Sequence, residues 1–312
     1  MECLDKQILI CDDSPAFFIE SLETKGFVVD YQPLISNAQL IEQPNKYSSI
    51  LIKSALILDR AFFEHFSNIN LVLRPGSGLD NVDKAYCKAN GITIINSPNG
   101  NSNAVGEHAM GLLLNLTNNL NKAITEVKQL KWVREPNRGI ELENRNVAVI
   151  GVGNAGTAFC KKLTGFGVKL LPHDKYKPFL DSINQNSVSI SKVFEKADVV
   201  SLHLPLNSET HYYANDEFFN SFRKPIYFLN TSRGKVLNTR SLLNAINKGI
   251  VIKAAIDVIE TEPIHKSSNR EIETLQALIN TGKVLITPHI AGWTHEAKQK
   301  MFSILLDKYA QL

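Results

Sequence analysis

Asn146-Val-Ala-Val-Ile-Gly-Val-Gly-Asn-Ala-Gly156 joins an apolar run to three glycines spaced as G-x-G-x-x-G. The apolar run predicts a buried β-strand, and the pattern at 157–166 predicts the helix that follows it. A second apolar run at 168–171 predicts the next strand of the same unit. Because strand, glycine turn, helix and strand occur in this order, the stretch predicts the βαβ start of a dinucleotide-binding parallel sheet.

Each glycine of this motif has a separate physical task in such a turn. Gly151 permits the tight turn, Gly153 lets the backbone approach a pyrophosphate, and Gly156 allows the helix to pack closely on the sheet. Asn154 and Ala155 lead into the predicted helix, whose N-terminus offers unpaired backbone N–H groups and a partial positive charge to the phosphates. These five residues are therefore predicted to contact the cofactor.

An acidic residue follows the second strand at the spacing expected for ribose recognition. Asp174 lies 23 positions after Gly151, near the roughly 20 positions typical of this unit. A carboxylate there accepts hydrogen bonds from the ribose hydroxyls and repels a 2′-phosphate, so NAD is favoured over NADP. Lys175 and Lys177 act in the other direction, since a basic group accommodates that phosphate.

Strand and helix patterns alternate along most of the 312 residues, which is enough chain for two domains. Five apolar runs precede residue 97, and six follow from residue 146 onward. The sequence therefore predicts an α/β fold with two doubly wound parallel-sheet domains, the larger a Rossmann-type NAD-binding domain. We assign residues 1–100 plus 288–312 to the substrate domain and residues 101–287 to the NAD-binding domain.

Composition limits the classes of partner. The chain has 34 basic and 31 acidic side chains and a net charge of +3, which gives no global reason to expect nucleic acid or an anionic membrane surface. Its apolar runs are shorter than the ~18 residues of a membrane span. The four cysteines are scattered and show no spacing typical of a disulfide framework or a zinc site. We expect a cytoplasmic protein with no metal, no nucleic-acid partner and no membrane contact.

Three polar segments follow predicted strands, at the edge where parallel α/β sheets carry their chemistry. They read Asn230-Thr-Ser-Arg-Gly234, Asp257-Val-Ile-Glu-Thr-Glu-Pro263 and Pro288-His-Ile-Ala-Gly292. With the glycine motif before them, their order resembles the D-isomer-specific 2-hydroxyacid dehydrogenases. The resemblance extends from about residue 49 to the C-terminus. It implies NAD-dependent hydride transfer between a small D-2-hydroxy acid and its 2-oxo acid.

The resemblance implies catalytic roles for three residues. Arg233 would bind the substrate carboxylate and polarise its carbonyl, a task that suits a guanidinium because it stays charged and presents a rigid donor fork. His289 would be the general acid in reduction and the general base in oxidation, since imidazole titrates near the working pH. Glu262 would orient His289 and favour its charged form. Asp257 is similar to the family acid near the nicotinamide amide. The other predicted cofactor contacts are His203, Pro205, Thr231, Ser232 and Gly292.

The segment Arg74-Pro-Gly-Ser-Gly78 predicts an anion site, because backbone N–H groups in a glycine-rich loop bind anions. By family resemblance, Ser77 and Gly78 would take the substrate carboxylate.

Three cations give the leading prediction for the substrate. The sequence is similar to the family branch that acts on 3-phosphoglycerate, in which Lys53, Arg74 and Arg134 correspond to residues around the substrate phosphate. In that branch the neighbouring subunit supplies the residue at the Arg134 position. Several cations at one place are typical of an anionic ligand. We therefore predict interconversion of 3-phosphoglycerate and 3-phosphohydroxypyruvate in serine synthesis.

Other interpretations stay open. Trp293 stands where a smaller residue is more usual in the family, which leaves a hydroxypyruvate or glyoxylate reductase as an alternative. A non-enzymatic NAD-sensing corepressor is another, although the complete Arg, Glu and His set favours catalysis. The apolar helical stretch from Asn103 to Trp132 predicts a homodimer, with Arg134 acting across it. Because the chain ends at Leu312, we expect it to lack the regulatory domain of longer members.

Overall fold

The chain divides into two compact units. The computed structural model describes residues 6–35, 37–42, 46–53 and 56–311. Unit 1 comprises Met1–Asn101 and Trp293–Leu312, and unit 2 comprises Ser102–Gly292. The sequence-based boundaries differ from this division at Asn101 and over residues 288–292.

Unit 1 is built on a five-stranded parallel sheet. Its elements before residue 102 are β1 (Gln7–Ile10), α1 (Ala16–Thr24), β2 (Val28–Tyr31), α2 (Asn37–Ile41), β3 (Ser49–Leu51), α3 (Arg60–His65), β4 (Leu71–Arg74), α4 (Lys84–Ala89) and β5 (Thr93–Asn96). The strand order is β2-β1-β3-β4-β5. Ile8 and Ile10 belong to the core cluster around Phe18, whereas Leu9 belongs to the cluster around Phe63. Successive residues of a strand point to opposite faces, so a continuous apolar run is needed where helices cover both faces.

Unit 2 is built on a six-stranded parallel sheet. Its elements are α5 (Ser102–Asn118), α6 (Leu120–Lys128), β6 (Asn146–Ile150), α7 (Asn154–Leu163), β7 (Lys169–His173), β8 (Phe179–Leu180), β9 (Gln185–Asn186), α8 (Ile190–Lys196), β10 (Val199–Leu202), α9 (Asp216–Asn220), β11 (Ile226–Asn230), α10 (Thr239–Asn247), β12 (Val251–Ile256), α11 (Asn269–Asn280) and β13 (Val284–Ile286). Short 3₁₀ turns lie at Glu135–Asn137, Thr164–Phe166, Asp181–Ile183, Gly234–Val236 and Ile264–Lys266.

The strand order of this sheet, β13-β12-β11-β10-β6-β7, reverses between β6 and β10. The glycine turn after β6 therefore lies at the switch point, where sheets of this kind bind their ligands. β8 and β9 form a separate antiparallel pair that the sequence pattern did not predict, because each has only two residues. The two parallel sheets confirm the predicted α/β fold class.

The last helix, α12 (His295–Tyr309), belongs to unit 1. Its residues Phe302 and Leu305 are fully buried and join the core cluster that contains Ile8. A Cβ on Gly100 would lie 2.7 Å from the Cα of Met301, so the close approach of the helix to this loop requires glycine.

The predicted helical stretch from Asn103 to Trp132 is two helices in the structure. α5 and α6 are separated by Asn119, which has a φ of +56°. α5 buries much of its surface, whereas α6 buries no residue and exposes Leu120, Ile124 and Val127. Among the helices of the described ranges, none is both long enough and apolar enough to cross a membrane.

Candidate active site

The glycine turn between β6 and α7 has three different steric environments. Gly151 has a φ of +90°, and a Cβ there would lie 2.6 Å from the carbonyl oxygen of His203. A Cβ on Gly156 would lie 2.1 Å from the carbonyl oxygen of Gly151. A Cβ on Gly153 would have no described atom within 4 Å. The fold therefore requires glycine at 151 and 156, whereas the backbone at Gly153 is open to a ligand.

Asp174 directly follows β7 and faces the glycine turn. Its carboxylate accepts hydrogen bonds from the N–H groups of Val152 and Tyr176, each at 3.1 Å and each to a different oxygen. Each oxygen keeps a lone pair for a ribose hydroxyl. Lys175, which would favour a 2′-phosphate, instead lies 2.9 Å from a carboxylate oxygen of Glu209. This arrangement fits NAD better than NADP.

Two buried side-chain atoms at the carboxyl ends of β10 and β11 have no hydrogen-bond partner in the described part of the chain. They are Nδ1 of His203 and Oγ1 of Thr231. Nε2 of His203 contacts the hydroxyl of Ser201 at 2.9 Å, and burial lowers the pKa of His203 to about 4, so its ring is neutral. Buried polar atoms without partners are uncommon. Together with the N–H groups of Asn154 and Ala155 at the start of α7, these atoms fit a dinucleotide at this edge.

The segment after β11 is folded around the buried side chain of Asn230. Its Oδ1 accepts hydrogen bonds from the N–H (3.0 Å) and the hydroxyl (2.6 Å) of Ser232, and its Nδ2 donates to the carbonyl oxygen of Arg233 (3.1 Å). A Cβ on Gly234 would lie 1.6 Å from a backbone carbonyl oxygen of the segment after β12, so only glycine fits. The turn holds Arg233 half-buried at the sheet edge, with its charge near His289.

His289 and Glu262 form a direct pair. Nδ1 of His289 lies 2.6 Å from Oε2 of Glu262, whose other oxygen accepts the N–H of Ile259 at 3.0 Å. The hydrogen bond to Glu262 raises the pKa of His289 above its ordinary value, while burial and the charge of Arg233 act in the opposite direction. Because Nδ1 faces Glu262, Nε2 is the ring nitrogen left to exchange a proton with a ligand.

Asp257 has a structural role that the sequence analysis missed. Its side chain is fully buried, and its Oδ1 accepts the hydroxyl of Thr287 (2.5 Å) and the N–H of Ile290 (2.9 Å). Its Oδ2 accepts the N–H of Ala291 at 2.8 Å. These bonds hold residues 287–292, which we name the catalytic turn. The contact of Asp257 with the nicotinamide amide stays a prediction.

The catalytic turn places His289 in an unusual backbone conformation. His289 has a φ of +56°, a value that residues other than glycine seldom adopt. Its N–H donates to the carbonyl oxygens of Asp257 (2.8 Å) and Thr287 (3.0 Å). Gly292 ends the turn and is half-buried. Hydrogen bonds therefore fix both the backbone and the ring of His289.

In unit 1, the loop after β4 is held by side-chain hydrogen bonds. Gly76 has a φ of +135°, and its N–H donates to the hydroxyl of Ser97 at 2.9 Å. The exposed Ser77 donates its hydroxyl to a carbonyl oxygen after β5 at 3.0 Å, and Gly78 is half-buried beside it. Nη1 of Arg74 donates to the carbonyl oxygen of the next residue at 2.7 Å. These bonds order the loop, and the binding of a substrate carboxylate by Ser77 and Gly78 stays a prediction.

Lys53 lies nearly buried after β3. Its ammonium is 3.4 Å from Oδ1 of Asp12 and 4.7 Å from the centroid of the Trp293 ring. The carboxylate offsets the positive charge that was predicted to bind phosphate, and the indole adds a cation–π contact. Asp12 was not predicted, and its only signal in the sequence is its position just after a strand.

Two further predicted residues are exposed on unit 2. Arg134 is exposed in unit 2, directly before the 3₁₀ turn Glu135–Asn137, whereas Lys53 and Arg74 belong to unit 1. Pro205 is exposed in the loop after β10. Within the ranges that the structure describes, no group of three His, Cys, Asp or Glu side chains is arranged to hold a metal ion.

Comparison with known proteins gives a family match. Residues 110–291 match the family model of the D-isomer-specific 2-hydroxyacid dehydrogenase, NAD-binding domain. The chain is 32% identical over 274 residues to D-3-phosphoglycerate dehydrogenase 2, chloroplastic, of Arabidopsis thaliana, covering 87% of this chain and 43% of that protein. It is 30% identical over 259 residues to hydroxypyruvate reductase of Thermotoga maritima, covering 83% and 82%. The chain spans about half the length of the phosphoglycerate dehydrogenases it matches.

Solved structures share the whole fold. A D-lactate dehydrogenase from Aquifex aeolicus, complexed with NAD and lactic acid, has a TM-score of 0.85 at 24% identity and covers 98% of this chain and 94% of its own. A glyoxylate reductase from Paecilomyes thermophila has a TM-score of 0.89 at 20% identity, covering 100% and 95%.

Proposed function

The chain belongs to the D-isomer-specific 2-hydroxyacid dehydrogenase family and contains its NAD-binding domain, and from this we propose that it interconverts a small D-2-hydroxy acid and its 2-oxo acid with NAD. The observation that carries the proposal is the 2.6 Å contact between His289 and Glu262, with Arg233 close enough to affect the pKa of His289. A general acid beside a permanent cation is the arrangement that reduction of a 2-oxo acid requires.

The reaction assigns a separate step to each of these residues. NADH, when bound, supplies a hydride to C2 of the 2-oxo acid. Arg233 binds the substrate carboxylate and stabilises the charge that develops on the carbonyl oxygen. His289 donates the proton on Nε2 to that oxygen, which completes the hydroxyl group, and Glu262 stabilises the charged imidazolium before the transfer. In oxidation, the neutral imidazole of His289 accepts the hydroxyl proton.

For the substrate we keep 3-phosphohydroxypyruvate as the first candidate, with a place in serine synthesis and a cytoplasmic location as parts of the same proposal. Its support is the pair of cations Arg74 and Lys53 in unit 1 and the name of several relatives, D-3-phosphoglycerate dehydrogenase, at 28–32% identity. A phosphate group with two negative charges binds to such cations more strongly than a group with one negative charge does.

An unphosphorylated 2-oxo acid, such as hydroxypyruvate or glyoxylate, is the second candidate. The observation that favours it is the contact of Lys53 with Asp12 and Trp293. A phosphate at Lys53 must either displace the Asp12 carboxylate or share the Lys53 ammonium with it. The negative charges of the phosphate and of Asp12 repel each other. A relative of this name, the hydroxypyruvate reductase, is matched over most of its own length.

The proposal also includes a homodimer. α6 exposes Leu120, Ile124 and Val127 at helical spacing, and Leu130 and Trp132 follow with 96% and 82% of their surface exposed. Exposed apolar residues that form one stripe are typical of a protein interface. Arg134 lies two residues beyond this stripe and would reach the substrate of the partner subunit.

The test is an NADH-oxidation assay of the wild type and the His289→Gln variant with 3-phosphohydroxypyruvate, hydroxypyruvate and glyoxylate. We expect the wild type to reduce at least one acid and the variant to lose roughly 10²–10⁴-fold in kcat, because glutamine cannot donate a proton to the carbonyl oxygen. NADH binding, followed by its fluorescence, should stay unchanged. The proposal fails if the wild type reduces none of the three acids or if the variant keeps its kcat.

A further inference from the structure

We propose that His108 is a positioning residue for the catalytic turn, acting through a hydrogen-bond chain that runs from α5 through Thr287 to Asp257. The role in catalysis rests on the proposed function, whereas the effect on the structure of the turn does not. His108 was given no role in the sequence analysis.

Three distances define this chain of hydrogen bonds. Nε2 of His108 lies 3.1 Å from Oγ1 of Thr287, and the hydroxyl of Thr287 donates to Oδ1 of Asp257 at 2.5 Å. Nε2 of His108 is also 3.5 Å from Oδ1 of Asp257. The His108 side chain is 22% exposed and that of Asp257 is not exposed. The chain of contacts therefore lies largely away from solvent, where each hydrogen bond is hard to replace with water.

The direction of these bonds fixes the proton on the His108 ring. The hydroxyl of Thr287 has one hydrogen, and it gives that hydrogen to Asp257, so it can only accept from His108. Nε2 of His108 must then carry a hydrogen and act as the donor. A neutral ring with its hydrogen on Nδ1 would instead direct a lone pair at two oxygen acceptors. Only a donor at the His108 position completes the chain.

Asp257, at the far end of this hydrogen-bond chain, controls the backbone around His289. Besides the hydrogen bond from the Thr287 hydroxyl, the Asp257 carboxylate accepts hydrogen bonds from the N–H groups of Ile290 and Ala291, which belong to the catalytic turn. The N–H of His289 donates to the carbonyl oxygens of Asp257 and Thr287. Since His289 has a φ of +56°, its conformation depends on these bonds.

Loss of the donor at 108 leaves the Thr287 hydroxyl with one bond fewer and weakens its hold on Asp257. The charged groups that face His289 are Glu262, Arg233 and Asp257. Because the pair with Glu262 depends on where the turn holds the His289 ring, a looser turn weakens that pair first. A change at His108 should therefore reach the proton affinity of His289 without any contact between the two rings.

The experiment compares His108→Leu, which removes the donor, with His108→Gln, whose amide keeps a donor of similar reach. The pKa of His289 is followed by NMR of ¹⁵N-labelled histidine in the full chain, and the signal is assigned with His289→Gln. In His108→Leu we expect the pKa of His289 to fall towards its ordinary value and kcat to fall by about tenfold, as for other outer partners of catalytic groups. The KM for NADH should change less than about twofold, because the glycine turn is untouched. His108→Gln should stay near the wild type in each measurement.

A second variant keeps the test decisive if His108→Leu does not fold. Thr287→Val removes the hydroxyl in the middle of the hydrogen-bond chain with little change in side-chain volume, and it should lower the pKa of His289 in the same way. The proposal is overturned if His289 titrates as in the wild type in His108→Leu and Thr287→Val, or if His108→Gln loses as much as His108→Leu. If the wild type turns over no 2-oxo acid, the proposed function fails, but the titration of His289 still decides this inference.

Discussion

The carboxyl ends of the two sheets arrange their charged side chains differently. In unit 2, the Asp257 carboxylate accepts hydrogen bonds from the N–H groups of the catalytic turn, and Glu262 is hydrogen-bonded to the ring of His289. In unit 1, Lys53 lies against the Asp12 carboxylate and the indole of Trp293. The carboxylates of unit 2 thus hold His289, the proposed proton donor, whereas Lys53 of unit 1 already has partners with which a ligand must compete.

This difference separates the mechanism from the choice of substrate. The groups that hold and charge His289 all lie in unit 2, so changes there should alter the rate and its pH dependence. The contacts of Lys53 lie in unit 1, so changes there should alter the preference among 2-oxo acids. Variants in unit 2 therefore test the rate and its pH dependence, and variants in unit 1 test the substrate preference independently.

The largest effect is expected in the glycine turn, from Gly156→Ala. Its Cβ would lie 2.1 Å from the carbonyl oxygen of Gly151, and a backbone atom cannot move aside as a flexible side chain does. We expect a loss of about 2–3 kcal/mol or more in the free energy of unfolding. Thermal and urea unfolding of the two proteins measure this loss.

Gly153→Ala is the matched control, because its Cβ meets no described atom within 4 Å. Its stability should stay within about 0.5 kcal/mol of the wild type. Its affinity for NADH should fall about tenfold or more, which corresponds to roughly 1.4 kcal/mol. If Gly156→Ala is as stable as the wild type, or if Gly153→Ala binds NADH normally, the steric account of the turn is incorrect.

A smaller effect is expected in unit 1, from Asp12→Asn. Removal of the carboxylate frees Lys53 for an anion, so kcat/KM for 3-phosphohydroxypyruvate should rise relative to hydroxypyruvate by roughly 3- to 10-fold, the effect of about 1 kcal/mol. Arg74→Ala should lower the same ratio. Steady-state kinetics with both acids measure these ratios. An unchanged ratio in both variants would mean that these two cations do not select the substrate.

The sequence predicted the two sheets, and it placed Arg233, Glu262 and His289 after the strands of one sheet, because both features depend on local patterns. The run Ile8–Ile10 is apolar at every position, and such a run predicts a strand covered on both faces. The glycine spacing from 151 to 156 reflects contacts within one turn. Arg233, Glu262 and His289 each follow a strand, so parallel topology brings them to the same edge.

The contacts that the sequence did not predict join residues far apart in the chain. His108 and Thr287 are separated by 179 positions, and no local pattern pairs them. Asp12 and Lys53 meet only because β1 and β3 are neighbours in the sheet. The break at Asn119 was missed for the opposite reason, since helical apolar spacing continues across it from α5 to α6.

The most direct test of the account is the pH dependence of kcat/KM for reduction, measured for the wild type and Glu262→Gln with the 2-oxo acid that the wild type reduces fastest. Reduction needs the charged ring of His289, whose pKa is raised above the ordinary value of about 6.5 by Glu262. The wild-type rate should therefore be high at low pH and fall as the pH rises through this raised pKa. In Glu262→Gln the pKa of His289 falls, so the decline should move to lower pH. A decline at the same pH in both proteins, or a flat wild-type profile with chemistry shown to limit the rate, would contradict the assignment of His289 as the proton donor held by Glu262.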